Sequence, residues 1–259
     1  MPTIDANGLS IAYAVDGEGP PLILLHGATG SGASHFASLL PVAARSFRVY
    51  APDARGHGGT RWDAADGFAA ADLVADVAAF ADALGLGTFH LLGYSMGAMT
   101  ALQFAARWPR RLQTLVIVSL GAEREPRLSV GRRLMDPERI ERDDPAWARE
   151  LAARHDPVQG PGAWRRLLPA IVADVATQPL LTPAELRAIA TATLVVVGDR
   201  DPFVPVDQAA GLARQLRDGR LLVLPSVGHD AIFGARPVLH AALTDFYSLA
   251  RPITTEDPR

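Results

Sequence analysis

"LLGYSMGAM", Leu91–Met99, starts as a buried strand, turns through Gly93 and Gly97, and continues as a helix with Ser95 at its centre. It matches G-x-S-x-G, whose context must be a strand before and a helix after. Both are present. "TFHLLGYS" (Thr88–Ser95) is a continuous apolar run, and "MGAMTALQFAARWP" (Met96–Pro109) is apolar nearly all round until Pro109 stops it. A turn this sharp strains the serine backbone, and glycines two residues either side remove side chains that would collide. The hydroxyl then projects at the carboxyl end of a sheet, beside unpaired N–H groups at a helix start. A plain helix cap would explain the serine but not the two glycines.

Working outward, the same rhythm repeats. "PLILLHG" (Pro21–Gly27), "SFRVYAPD" (Ser46–Asp53), "LQTLVIVSLG" (Leu112–Gly121), "ATLVVVGD" (Ala192–Asp199) and "GRLLVLP" (Gly219–Pro225) read as strands. Runs this continuously aliphatic predict strands covered on both faces, as in a parallel sheet. Helical patterns lie between them. In Phe68–Gly85, Leu73, Val77, Phe80 and Leu84 share a face, while Asp72, Asp76 and Asp82 fall mostly off it. Val206–Gly219 is another amphipathic candidate. The alternation implies right-handed βαβ crossovers. "TIDANGLSIAYAVDG" (Thr3–Gly17) differs: Asn-Gly between two alternating runs predicts an antiparallel hairpin. Residues 122–187 contain no strand-like run and are rich in Arg, Glu, Asp and Pro. A connection that long inside a compact domain is more often functional than accidental, so a lid is expected there.

The 259-residue chain, with 49% hydrophobic and 20% charged residues, suits one large α/β domain with an insertion. Its net charge of −3 and scattered arginines predict no nucleic acid and no anionic membrane as partner. The absence of cysteine excludes disulfides, thiolate metal sites and a cysteine nucleophile. No apolar run approaches the ~20 residues of a membrane span, and the N-terminus lacks a basic head and apolar signal core. A cytoplasmic protein with a small-molecule substrate is expected.

A serine hydroxyl needs a base to take its proton. Of the seven histidines, His90 lies within a strand run, and His35, His155 and His240 sit in helix or lid patterns. His26 and His57 belong to glycine turns. His229 follows a late strand in "SVGHD", on a loop freed by Gly228, and can reach the sheet's carboxyl edge. The acid that orients it is expected from "VVVGDRDPFVP". Asp199 looks like the turn residue, closing the turn by its own Asx bond. Asp201, held before Pro202, is better placed to reach out; Glu123 is the alternative.

Ser95, Asp201 and His229, in that chain order, resemble the α/β-hydrolase superfamily. The similarity spans nearly the whole chain through "LLHGATG", "PDARGHGGT", "GYSMGAM", "GDRDPFVP" and "GHD". It implies an α/β fold with a mostly parallel eight-stranded sheet, an antiparallel N-terminal hairpin and helices on both faces. It also implies a helical cap after strand 6. The core would span residues 1–121 and 188–259, and the cap 122–187. The resemblance further implies an oxyanion hole from the backbone N–H groups of Ala28 and Met96. Ala28, small where many relatives are bulky, would leave room for an acyl group, and Thr29 could add a hydroxyl donor. Asp53, Arg55 and His57 read as scaffold.

The chemistry expected is hydrolysis of a small carboxylic ester or lactone through an acyl-enzyme, with no metal or organic cofactor. A thioesterase, a carbon–carbon bond hydrolase and a cofactor-free haloperoxidase-like activity share that site. A homoserine acyltransferase fits less well, since those chains are longer with larger lids. A serine nucleophile argues against the dehalogenases and epoxide hydrolases of this fold, which use aspartate. A receptor that keeps the fold without catalysis is the rival from another class. Trp147, Trp164 and Phe203 are expected beside the substrate, with Met135 in the lid.

Overall fold

The computed structural model describes residues 1–234 and 236–249. The far end of the expected core range, residues 250–259, lies outside them. Eight strands form one sheet in the order β1-β2-β4-β3-β5-β6-β7-β8. They are β1 (Thr3–Ala6), β2 (Leu9–Asp16), β3 (Pro21–Leu25), β4 (Arg48–Pro52), β5 (Phe89–Tyr94), β6 (Leu112–Val118), β7 (Thr193–Gly198) and β8 (Gly219–Leu224). β1 and β2 pair antiparallel through the turn at Asn7 and Gly8, both at positive φ, and β2 pairs antiparallel with β4. From β4 to β8 every pairing is parallel.

The continuous apolar runs have a direct cause. Successive side chains point to opposite faces of the sheet, and both faces are covered. Leu91, Ile117 and Val195 point into one core, while Leu92, Val116 and Val196 point into another. The first core is closed by α3 (Ala70–Ala83), α4 (Met96–Arg107) and α10 (Val206–Gln215). The second is closed by residues around two one-turn helices, α1 (Gly32–His35) and α2 (Leu40–Ala43), and by α11 (Pro237–Leu249). Asp76, expected off the apolar face of α3, is in fact buried. Arg55 grips it with two bonds of 2.7 and 2.8 Å, and Asn7 Nδ2 donates a third at 2.7 Å. A buried carboxylate is tolerable only when paired in this way. The pairing ties the hairpin turn, the loop after β4 and α3 together.

Between β6 and β7 the chain makes five helices and no strand: α5 (Arg127–Leu134), α6 (Pro137–Asp143), α7 (Pro145–Gln159), α8 (Trp164–Thr177) and α9 (Pro183–Ala188). Asp136, Asp144 and Thr182 cap α6, α7 and α9, each followed by Pro at the first turn. α6, α7 and α8 bury Ile140, Leu151, Trp164, Leu167, Leu168 and Ile171 among themselves. This small core rests on Ala28, Trp62, Phe68 and Met96. None of the described helices is long and apolar enough to cross a membrane.

β5 occupies the middle of the sheet, between β3 and β6. α4 leaves it with only Ser95 between them. A Cβ on Gly93 would fall inside contact distance of the Gly97 carbonyl, and a Cβ on Gly97 inside that of the Leu25 carbonyl. Both obstacles are backbone and cannot rotate away. Gly93→Ala and Gly97→Ala are therefore expected to lose about 1–3 kcal/mol of stability, as overpacked cores do. Urea denaturation followed by circular dichroism measures the loss.

Candidate active site

Ser95 sits at φ 54° and ψ −111°, a region costing a non-glycine residue about 1–3 kcal/mol. The conformation is held from outside: Ser95 N donates to Val118 O at 2.9 Å, and Gly97 N donates to His26 O at 3.1 Å. The Ser95 side chain does not cap α4. Its Oγ lies 2.9 Å from His229 Nε2 instead.

His229 comes from the loop after β8, and Asp201 from the loop after β7. Nδ1 of His229 is 2.9 and 3.0 Å from the two carboxylate oxygens of Asp201. With Nδ1–H donating to the carboxylate, Nε2 carries the lone pair that faces the serine hydroxyl. Asp201 is fixed in turn. Its Oδ1 accepts from Phe203 N at 2.8 Å and Val204 N at 3.2 Å, and its side chain is fully buried. The Phe203 ring lies against the imidazole, centroids 4.2 Å apart.

Asp199 departs from expectation. Its carboxylate does not close its own turn; it accepts from Val227 N at 3.2 Å and so pins the loop that carries His229. The Asx bonds belong to Asp201, because Pro202 directs the next two N–H groups back at its carboxylate. Glu123 is exposed and accepts from Gln208 Nε2 at 3.3 Å, away from the imidazole.

The loop after β3 is the part that sequence reasoning underrated. Gly27 O is 2.8 Å from His26 Nδ1 and also accepts from Gly30 N at 3.2 Å. In a trans peptide the following N–H points the opposite way. Fastening this carbonyl therefore turns the Ala28 N–H outward. Gly27 N donates to His35 Nδ1 at 3.1 Å, and Ala28 O lies 2.9 Å from His57 Nε2. From α7, His155 Nδ1 accepts from Gly58 N at 3.1 Å, and Arg154 donates to Thr29 O at 2.6 Å. Ala28 N and Met96 N donate to no other group among the described residues. Both residues line the same cavity as Ser95 and His229. His35 and His155 gave no sequence signal for this work: His155 acts on a loop 97 residues away, and His35 acts on Gly27 only through the way the intervening loop folds back.

That cavity has a volume of about 210 Å³. Thr29, Phe203, Trp147 and Met135 border it. Trp164 does not. It is 2% exposed and belongs to the core that α6, α7 and α8 form among themselves, at the N-terminal end of α8, whereas the cavity is bordered by α8 residues two turns and more further along, from Ile171 onward. Arg127, Asp174 and Gln178 border the cavity without having been singled out in the sequence.

A family model described as the alpha/beta hydrolase fold matches residues 20–157, and one described as TAP-like protein matches residues 162–250. Pyrrolizixenacetamide deacetylase of Xenorhabdus hominickii is 24% identical over 246 residues, 89% of this chain and 92% of its own length. The 2-hydroxy-6-oxo-2,4-heptadienoate hydrolase of Pseudomonas putida is 28% identical over 244 residues, 86% of this chain and 87% of its own. The solved enol-lactonase from Burkholderia xenovorans shares the fold, with a TM-score of 0.76 over 95% of this chain and 100% of its own, at 21% identity.

The histidine network carries a pH signature. Burial pushes His26 and His90 down to about 4, and His57 and His155 to about 3; His35 is also pushed far down by burial. Below about pH 6.5 the unfolded chain takes up protons that the folded protein refuses, so stability falls with pH until the folded values are reached. Burial raises Asp53 and Asp174, which act in the opposite sense but are fewer. Each histidine withdraws up to ~1.4 kcal/mol per pH unit well below 6.5. A urea midpoint falling steeply between pH 6.5 and 4.5 is the expected result. A flat midpoint would show the histidines to be accessible to protons in the folded state.

Proposed function

The chain belongs to the α/β-hydrolase fold family, and on that premise we propose that it is a serine hydrolase cleaving a small carboxylic ester or lactone. The observation that carries this reading is the continuous path from Ser95 Oγ through His229 to Asp201, each contact 2.9–3.0 Å. His229 Nε2 takes the hydroxyl proton as Ser95 Oγ attacks the substrate carbonyl. The carbonyl oxygen gains charge where the Ala28 and Met96 N–H groups stand free, and a single such donor contributes about 3 kcal/mol in comparable sites. His229 gives the proton to the leaving group, and an acyl-enzyme forms on Ser95. Water then enters, loses a proton to Nε2 and releases the acid. Asp201 holds the tautomer and stabilises the imidazolium without taking a proton itself.

In this reading residues 122–187 act as a cap on a core made of 1–121 and 188–259. Support comes from the α7 contacts to Thr29, on the loop bearing the oxyanion donor, and to Gly58, on the adjacent loop after β4, which tie the helical layer to both. The cap would therefore exclude water and steady that loop together.

A second reading is hydrolysis of a carbon–carbon bond next to a ketone. It is favoured by the relative named for 2-hydroxy-6-oxo-2,4-heptadienoate, a keto acid whose name contains neither ester nor lactone, matched over 86% of this chain. The same serine, imidazole and oxyanion donors would serve it.

A fluorophosphonate probe is expected to label the wild type once, at Ser95, and to leave Ser95→Ala unlabelled. On a panel of esters and lactones, Asp201→Asn is expected to lower kcat about 10⁴-fold through the wrong histidine tautomer. A folded wild type that neither reacts with the probe nor turns over any ester, lactone or keto acid would point to a receptor instead.

A further inference from the structure

The cavity walls are mostly apolar, with Phe68, Leu73, Met99, Leu128, Ile171 and Val172 among them. One part is not. α5 contributes Arg127, and the C-terminal end of α8 contributes Asp174 and Gln178. Nε and Nη2 of Arg127 are buried with no hydrogen-bond partner among the described residues, and so is Oε1 of Gln178. Burial pushes the Arg127 guanidinium down to about 10, so it stays charged at neutral pH. Asp174 attracts it but forms no ion pair with it; Asp174 Oδ1 accepts from Ala70 N at 3.0 Å. Arg124 adds a second positive charge close by, with its own donors engaged by the Val175 and Gln178 carbonyls. Arg154, the other cationic group near the site, is engaged by Thr29 O.

Keeping two unpaired guanidinium nitrogens out of water is unfavourable. Packing alone would be served better by a leucine or methionine at this position. Arg127 lines the cavity with Arg124 behind it, and against them stands Asp174; Asp72, which also acts on Asp174, is paired with Arg55, so the balance around this wall is one positive unit, which matches a monoanion. A dianion such as phosphate would meet the Asp174 carboxylate with more charge than the wall can balance. A planar carboxylate also suits the guanidinium fork.

We infer that Arg127 forms a carboxylate-binding subsite, and that the substrate of Ser95 is an acid bearing a carboxylate remote from its scissile carbonyl, joined to it by an apolar segment. This rests on the serine-hydrolase reading for its catalytic half, but the binding half stands on the cavity alone.

Two measurements separate these halves. The first compares p-nitrophenyl monoesters of straight-chain dicarboxylic acids, adipic to azelaic, with methyl-ended p-nitrophenyl esters of matched length. At the best length the wild type should favour the carboxylate-ended ester in kcat/KM by about 10- to 100-fold, chiefly through KM, as a charge-assisted contact does. Arg127→Gln should bring that ratio close to one, and Arg127→Lys should restore part of it. The second uses calorimetry on the Ser95→Ala protein with free dicarboxylates of the same lengths. Binding should be seen there and be lost in the double variant with Arg127→Gln. Equal use of both ester series by the wild type overturns the subsite. So does a loss in Arg127→Gln shared equally by both series, the mark of a packing role. Dicarboxylate binding without hydrolysis of either series would sink the serine-hydrolase reading and keep the subsite. Absence of dicarboxylate binding at every length would sink the subsite whatever the esters do.

Discussion

Helix α4 leaves strand β5 with one residue between them, and the closeness of that junction governs the rest of the molecule. Gly93 and Gly97 admit backbone where any side chain would strike a carbonyl. Ser95 is thereby held at positive φ, its own N–H bound to Val118 of the neighbouring strand. Because β5 lies in the middle of a parallel sheet, the carboxyl ends of its neighbours converge on the same edge. Loops leaving β7 and β8 can then bring an aspartate and a histidine to a serine more than a hundred residues away. Strain at one residue is sustained by two cores that neither strand nor helix could form alone.

The second feature is the use of imidazole as a structural clamp. His26, His35 and His57 each contact backbone of the loop at Gly27 and Ala28, and His155 contacts the adjacent loop at Gly58. A neutral imidazole offers one donor and one acceptor in a rigid ring. It can hold a peptide plane by either edge, which an aliphatic side chain cannot. Burial keeps these rings uncharged, so they place no positive charge beside His229. His57 faces carbonyls with both nitrogens, at 2.9 Å each, and as a neutral ring donates to one of them.

The helical layer between β6 and β7 is joined to the sheet by two kinds of contact. Its own small core rests on Trp62, Phe68 and Met96, which hold it by area rather than direction. Polar contacts from Arg154, His155 and Asp174 reach specific backbone groups below, which set its register. The wall carrying Arg127 is thus built onto a layer whose position is already determined.

Much of the fold was legible in the sequence because its signals are local. Aliphatic runs mark buried strands, Asn7-Gly8 marks the hairpin, and Pro109 ends α4, each through the conformational preferences of a few consecutive residues. The spacing of Gly93, Ser95 and Gly97 marked the tight strand-to-helix turn for the same reason. The positions after β7 and β8 pointed to Asp201 and His229, because a parallel sheet gathers those loops on one edge. Other assignments depended on which surfaces meet. Asp76 looked solvent-facing until Arg55 and Asn7 were seen to surround it. Trp164 looked like a substrate contact but faces its own helical neighbours, and Asp199 serves the histidine loop rather than its own turn. The roles of His155 and Arg127 arise only when segments far apart in the chain pack together, and that of His35 from the way the loop before it folds back. Backbone preference is written residue by residue; burial, pairing and leftover charge belong to contacts that no single segment contains.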